Sequence, residues 1–257
     1  MNDKNNIKLS VILPVRNEGR SLKIMGQILE ATIEVPHEII VVYDFPEDDS
    51  VPAARWLQGK YSNVHLVFND IGPGVVNAVR KGISFAKGNI ILISPVDEVF
   101  PIAAIEDMLE LINRGCEFVS CTRYALGGKR LGGSLIGGSL SRLANLLFRM
   151  FTGSVLTDAT TGIKMMKKSF FDRVTLESRP VGWSFAFEMS IKAQFLGIKV
   201  GEVPVVSVDR PFGGQSSFKL GSWVKEYLRW FFWGLKCLKK TDRVKNRPMR
   251  LEKYSEK

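Results

Sequence analysis

Cysteine and histidine are scarce in this chain, which has three of the first and two of the second in 257 residues. Cys116, Cys121 and Cys237 form no C-x-x-C pair, and two histidines add little, so the composition argues against a zinc site. An odd, sparse set of thiols fits a reducing compartment better than a disulfide framework. Long apolar runs are also missing. A membrane span needs roughly 18–20 uninterrupted apolar residues. The nearest candidates are SLIGGSLSRLANLLFRMFTG, interrupted by Arg142 and Arg149, and YLRWFFWGLKCL, which is too short. The opening MNDKNNIKL is polar and leads straight into a strand, so no secretory leader is expected.

What is present is ordinary globular material, 45% hydrophobic and 24% charged, long enough to bury a core without staples. The length suits one large domain, or one domain with an appendage. The net charge of +10 is unevenly placed: from Lys219 onward there are 12 Lys/Arg against 4 Asp/Glu, and the preceding body is nearly neutral. A nucleic-acid-binding domain would be basic over its body, so no nucleic-acid partner is expected. A neutral body with a cationic, aromatic-rich end suits an anionic membrane surface.

Hydrophobic periodicity gives the architecture. Strands are expected at 7–15, 37–44 and 63–70, with helices at 20–34, 51–61 and 74–88 between them, and a fourth strand lies in GNIILISPVDEVFP (88–101). Strand–helix alternation with apolar strands predicts an α/β fold around a mostly parallel, doubly wound sheet. Helices are further expected in PIAAIEDMLELI, SLSRLANLLFRMFTG, 184–197 and 223–240, and a late strand at 199–209. Residues 123–139 are glycine-rich and read as flexible or tightly turned, 210–222 as a loop with cationic ends, and the last 17 residues as polar and frayed.

Ligands in open α/β sheets bind beyond the carboxyl ends of the strands. Here those ends carry Pro14, Arg16, Asn17 and Glu18, then Tyr43, Asp44 and EDDS, then DIGPG, then Pro95, Val96 and Asp97. Each group has a plainer reading. Arg16 and Glu18 suit a surface ion pair, EDDS an N-cap, and Asp97 the opening of the next helix. Together they describe a cleft able to hold a base, a ribose and a metal-bound diphosphate. GPGVVNAVRKG matches neither GxxxxGK[ST] nor GxGxxG; Gly72 and Gly74 either shape the entry to a helix or touch a phosphate.

VILPVRNE, EIIVVYD, GPGVVNA with AKGN, and a strand ending in Asp before Pro resemble the nucleotide-sugar half of inverting GT-A glycosyltransferases of family 2. TRYALGG, SRLANLLFRMFTG, TDATTGIKMMKK, GWSFAFEM, LGIKVGEVPVV and VDRPFGGQSSFK follow in the order seen in the dolichyl-phosphate mannose synthase-like polyprenyl-phosphate glycosyltransferases. The resemblance covers roughly residues 7–220 and implies a GT-A fold. It implies transfer of a sugar from a nucleotide-diphospho-sugar to a polyprenyl phosphate, on the cytoplasmic face of a membrane.

By position, the resemblance assigns Pro14, Arg16, Glu18, Val42 and Asp44 to the nucleotide, although an aromatic is more usual at Arg16. Arg123 and Arg210 match phosphate-contacting cations, with Lys219 as a third, and Asp158 and Glu188 match supporting acids. Asp97 matches the second acid of a DxD metal motif whose first acid is replaced by Pro95, with Val96 between and Val99 two beyond. A weakly held Mg²⁺ or Mn²⁺ on Asp97 is therefore expected, with Glu98 as a possible extra ligand. Asp97, Arg123 and Arg210 are the expected catalytic residues. Arg123, Ser141 and Arg142 are the expected contacts to the acceptor phosphate. Gly137 stands where the family often has a cation, and Arg130 or Arg142 is the candidate replacement.

The expected boundary divides a transferase domain at 1–222 from a basic, aromatic helix and tail at 223–257. In that helix Tyr227, Trp230, Phe231, Trp233 and Leu235 lie among Lys225, Arg229, Lys236, Lys239 and Lys240. The helix either docks on a bilayer interface or packs a Tyr227–Trp230–Phe231 stripe against the domain. Two other readings stay open: a different, soluble or glycan acceptor, and a silent homologue that only binds nucleotide sugar.

Overall fold

Strands that are apolar on both faces need cover on both faces, and this requirement sets the architecture. The computed structural model describes residues 7–98, 100–132, 135–208, 220–238 and 247–254. The first half runs β1 (Leu9–Val15), α1 (Gly19–Thr32), β2 (His37–Tyr43), α2 (Ser50–Lys60), β3 (Val64–Phe68), α3 (Val75–Phe85) and β4 (Ile90–Ile93). A 3₁₀ turn at Phe100–Ala104 leads into α4 (Ile105–Asn113), β5 (Phe118–Thr122), β6 (Lys129–Leu131) and α5 (Leu135–Thr152). Then come β7 (Lys164–Lys167), α6 (Phe170–Arg173), α7 (Ser184–Phe195), β8 (Val200–Pro204), β9 (Val206–Val208) and α8 (Leu220–Leu238).

Seven strands form one sheet in the order β3-β2-β1-β4-β7-β5-β8. All neighbours are parallel except β7, which is antiparallel to both β4 and β5. Alternation along each strand feeds two cores. Leu9, Val11 and Leu13 of β1 join Leu22, Met25, Leu57 and Met108 on one face. Ile12, with Ile40 and Val42 of β2, joins Val76, Val79, Phe185 and Met189 on the other. The mostly parallel sheet flanked by helices is the expected α/β fold class, GT-A in form.

Four local expectations change. The strand expected at 199–209 is two: β8 stays in the main sheet, while β9 leaves it to pair with β6. Pro204, with no N–H to donate, stands at the point of departure. The glycine-rich stretch at 123–139 carries β6 and the first turn of α5, so that helix starts earlier than its apolar pattern suggests. KMMK, unassigned from sequence, is the central antiparallel strand β7. The end of the chain is not frayed at 247–254. Met249 pairs beside β8 at Gly201, Leu251 is buried in the core, and Lys253 and Tyr254 both bond the Asp107 carboxylate. This strap covers the edge of the sheet that β8 would otherwise expose.

Candidate active site

The carboxyl ends of β1, β2 and β4 open on one side of the sheet, and their loops are tied to each other. In the β1–β2 register Pro14 lies beside Val42, both buried. Beyond β1, Asn17 adopts φ 54°, and its N–H donates to Asp48 Oδ1 at 3.0 Å. Glu18 N–H donates to Ser50 Oγ (2.9 Å) and Gly19 N–H to Asp49 Oδ1 (2.8 Å). The EDDS acids thus satisfy the orphan amides at the start of α1, across the cleft edge from their own helix. Arg16 projects outward with its guanidinium over the Phe45 ring at 5.8 Å.

Asp44 is buried at the end of β2 and uses both oxygens. Oδ1 accepts from Asn69 Nδ2 (2.7 Å) and Oδ2 from Gly74 N–H (2.9 Å). That settles the GPG question in favour of shape. Gly74 sits at φ 120°, and a Cβ there would fall 2.6 Å from Pro180 Cβ. Its amide is already spoken for by Asp44.

Pro95 and Val96 are buried behind the end of β4, and Asp97 is the partly exposed residue that follows. Glu98 stays near Arg123 and Asp97 and bonds β9, where its Oε2 accepts from Ser207 Oγ at 3.0 Å. Withdrawal from water pushes its carboxyl up against the pull of Arg123, and Asp97 nearby adds to the rise. A carboxylate so engaged is a poor metal ligand. Pro95 offers no donor side chain, and Val99 lies outside the described residues. Among the described residues no group of three His, Cys, Asp or Glu is placed to hold a metal ion. The donor set therefore fits a hard cation that takes one ligand, Asp97, from the protein and the rest from phosphate and water.

Opposite stands the best-ordered part of the site. Arg123, just past β5, meets Asp158 through two parallel bonds, Nε to Oδ2 at 2.7 Å and Nη2 to Oδ1 at 3.1 Å. Asp158 is fully buried. Burial would raise its carboxyl, but Arg123 outweighs that and holds it below the usual range. Burial would likewise lower the Arg123 guanidinium, and Asp158 pushes it up instead. Thr160 Oγ1 joins the pair to α5, accepting from Arg123 Nη2 (3.3 Å) and from Asn145 Nδ2 (2.9 Å) and lying 3.4 Å from Ser141 Oγ. Tyr124 donates its hydroxyl to Ser141 Oγ at 2.8 Å. Arg123, Tyr124, Ser141 and Thr160 thus converge. Arg130 on β6 reaches the first turn of α5, its Nη1 lying 3.6 Å from where a Gly138 Cβ would stand, whereas Arg142 is exposed. Arg210 and Lys219 lie outside the described residues.

Beneath this cluster lies Lys164, fully buried, donating to Ser120 Oγ at 2.7 Å and to the Ala159 carbonyl at 3.3 Å. Burial pulls its ammonium down to about 7, against the opposing pull of Asp158. Glu188 is remote from the cluster. It accepts the amides of Glu177 and Ser178 and pairs with Lys192, so it shapes the segment before α7. The reading of motifs missed Tyr124, Asn145, Thr160 and Lys164 as a set. The clustered hydroxyls and acid in TDATTG were its visible trace.

Two helices flank the cluster. Buried Asn145, Phe148 and Thr152 hold α5 against the body, and its other faces carry exposed Leu140, Leu143, Leu146, Met150 and Phe151. Along α8, Trp230 is buried and Tyr227 and Phe231 pack with it against Phe148 and Phe187, so that stripe faces the domain. Gly234 permits this approach, since a Cβ there would strike the Phe148 ring at 2.6 Å. Val224, Leu228 and Phe232 are left exposed, with Lys225, Arg229 and Lys236 exposed beside them. Met150 and Phe232 are 67% and 62% exposed, and the two apolar strips lie on helices that pack together. No helix among the described residues is long and apolar enough to cross a membrane.

Residues 10–175 match the model of Glycosyl transferase family 2. A dolichol-phosphate mannosyltransferase of Pyrococcus furiosus is 28% identical over 241 residues, 93% of this chain and 66% of that protein. The glycosyltransferase AglD of Haloferax volcanii is 25% identical over 205 residues, 77% of this chain and 33% of that protein. The chain thus spans less than two thirds of either relative. Among solved structures, glucosyl-3-phosphoglycerate synthase of Mycobacterium tuberculosis, in complex with Mn²⁺, UDP and glucosyl-3-phosphoglycerate, superposes with a TM-score of 0.69. That likeness, at 15% identity over 91% of this chain and 81% of the other, is one of fold. The chain belongs to glycosyl transferase family 2 and is a glycosyltransferase of GT-A fold.

Proposed function

We propose that this family 2 transferase moves a sugar, with inversion, from a nucleoside diphosphate to a polyprenyl phosphate at the cytoplasmic face of a membrane. The observation that carries the reading is the setting of Ser141. It faces the Arg123 cluster from α5, and the same helix exposes Leu140, Leu143, Leu146, Met150 and Phe151. A phosphate bound beside Ser141 has a ready apolar path for its lipid chain. Similarity to a dolichol-phosphate mannosyltransferase supports the same acceptor class. The exposed strips of α5 and α8 and the cations beside them suit an anionic bilayer surface. On this reading residues 1–222 are the main body of the transferase domain, and 223–257 add the rest of the interfacial helix and, at 247–254, the strap that returns to β8.

In this reading Pro14, Val42 and Asp44 line the base and ribose end, with Arg16 and Glu18 at its rim. Pro95 and Val96 back the diphosphate, and Asp97 would hold a Mg²⁺ or Mn²⁺ ion together with the donor's own phosphate oxygens. Such a cation supplies neutralisation of the departing diphosphate. Arg123, aided by Arg210 and Lys219, faces the phosphates. Ser141, with Arg130 and Arg142 around the start of α5, takes the acceptor head group. A phosphate monoester has its second pKa at about 6, so the acceptor needs no side-chain base near neutral pH. An acceptor oxygen attacks the anomeric carbon from the face opposite the leaving group. The new C–O bond forms as the bond to the diphosphate breaks, and the nucleoside diphosphate leaves with the electron pair. The protein's contribution is alignment and preorganised positive charge.

Gly137, with no cation of its own, favours a second reading with a soluble or glycan acceptor; Pro95 favours a third, binding without turnover. The test is a transfer panel with the full chain, GDP-, UDP- and dTDP-sugars, a short polyprenyl phosphate, and Mn²⁺, Mg²⁺ or EDTA. Label in the organic phase is expected. Label only in water-soluble product with added glycans or phosphosugars would replace the lipid acceptor with the second reading. Nucleotide binding without turnover of any donor would favour the third.

A further inference from the structure

Glu202, fully buried on β8, is bonded from two sides. Its Oε1 accepts the amide (2.6 Å) and the hydroxyl (2.5 Å) of Thr157, and its Oε2 accepts from Arg250 Nη2 at 2.8 Å. Thr157 directly precedes Asp158, the partner of Arg123, and its hydroxyl lies 2.6 Å from Thr122 Oγ1, the residue before Arg123. Arg250 belongs to the strap at 247–254. That strap is fastened independently: Met249 exchanges backbone bonds with Val200 and Glu202, Leu251 is buried, and Lys253 reaches Asp107 at 2.6 Å. A buried carboxylate gains little from a neutral setting and much from a well-placed guanidinium.

From this arrangement we infer that the strap is part of the phosphate-binding site, with Arg250 a positioning residue. Arg250 balances the charge of Glu202, Glu202 fixes the Thr157–Asp158 turn, and the turn sets the direction of the Arg123 guanidinium. The helix α8 separates the strap from the body in sequence, yet the strap returns to the sheet behind the site. The kinetic consequence rests on the transferase reading above; the structural one does not.

The experiment uses the full chain and two readouts, amide hydrogen exchange by mass spectrometry and steady-state transfer. Arg250→Met keeps the stem and removes the cation. Exchange in a peptide spanning Thr157 to Thr161 should rise about tenfold while β1 and β2 stay protected, the scale of a lost charge-assisted bond. Arg250→Lys should restore most of the protection. Leu57→Ala opens the core on α2, away from the strap, and serves as the stability control; it should lower Tm without the same local rise. If Arg250→Met does not fold, Glu202→Gln, which removes the charge that Arg250 balances and one of the two acceptor oxygens, should give the same local rise in smaller measure. In transfer assays below Tm, Arg250→Met should raise KM for the phosphate-bearing substrates severalfold with a smaller change in kcat. Unchanged exchange at the Thr157 peptide in Arg250→Met, or an equal local rise in Leu57→Ala, would overturn the inference. A wild-type chain that transfers no sugar would count against the proposed function alone, since the exchange readout still decides the strap.

Discussion

Arg123 and Asp158 are 35 residues apart in sequence and meet through two parallel hydrogen bonds of 2.7 and 3.1 Å, both side chains withdrawn from water. A guanidinium pinned in this way has little freedom left in direction, which is what a phosphate contact requires. The pair is therefore the fixed point of the site, and the tests begin there.

Asp158→Asn keeps the shape and removes the charge opposite a buried arginine. Leaving one member of a buried pair costs on the order of 3 kcal/mol. Urea unfolding should show that loss. Transfer should fall by about a hundredfold, more than instability explains at a temperature where the variant remains folded. Near-normal kcat/KM would mean that Arg123 is not oriented by Asp158 for function.

Lys164 predicts a pH dependence of stability. Its folded pKa lies near 7, below its ordinary 10.5, so above pH 7 the unfolded chain binds more protons at this site than the folded one. Stability therefore rises with pH through that window. The clean range ends near pH 8.5, because the thiols of Cys116 and Cys121, pushed up by burial from 9.0, work in the opposite sense beyond it. Denaturation midpoints should climb between about pH 7 and 8.5, and Lys164→Met should flatten the slope. An identical slope in the variant would assign it elsewhere.

Asp97→Ala tests the cation. Calorimetry of nucleoside diphosphate binding with and without Mn²⁺ should show a metal-dependent gain in the wild type and its loss in the variant. One carboxylate supports only modest affinity for a hard cation, so EDTA should strip the wild type readily. Metal-enhanced binding that survives in Asp97→Ala would move the ligand to another group.

The exposed strips of α5 and α8 predict a surface effect separable from chemistry. Leu228→Glu, Phe232→Glu and Leu143→Glu each place a charge where the apolar face would enter a bilayer. Co-sedimentation with vesicles containing anionic lipid should fall at least tenfold, with little change in Tm. Transfer to a short, water-soluble polyprenyl phosphate should persist in the two α8 variants and fall in Leu143→Glu, which stands on the path proposed for the lipid chain. Undiminished vesicle binding in all three would remove the membrane from this face.

Three of the first four strands were legible because a strand buried on both faces has to be a short, nearly continuous apolar run, and VILPV, EIIVV and NIILI are such runs. KMMK was not, since four residues flanked by lysines carry no period, and one of those lysines turns out to be buried. RPMRLEKY looked like a polar tail for a similar reason. Its anchoring side chains, Arg250 on Glu202, Leu251 in the core, and Lys253 and Tyr254 on Asp107, are single residues in a charged background.

Of the site, the motifs named Asp44, Asp97, Arg123, Asp158 and Ser141, but not who holds whom. Sequence made EDDS look like the cap of its own helix, and Asp48 Oδ1 does accept the first amide of α2, at Ser50; what sequence did not show is that Asp48 and Asp49 also serve the amides at 17 and 19. It offered Arg130 and Arg142 equally in place of a cation at Gly137, and the pairing of β6 with β9 brings Arg130 to α5.

Local periodicity and residue chemistry thus determined the class of fold and the edge of the sheet that carries polar groups, while the order of the motifs carried the resemblance to the family. Those properties depend on neighbours in sequence, through burial and backbone geometry acting over a few residues. Tertiary structure alone decided that Arg123 faces Asp158, that Glu98 bonds Ser207 of β9, and that α8 hides Trp230 while exposing Phe232. Each is a contact between segments far apart in the chain, and hydrogen bonds and packing of that kind exist only once the sheet has brought the segments together.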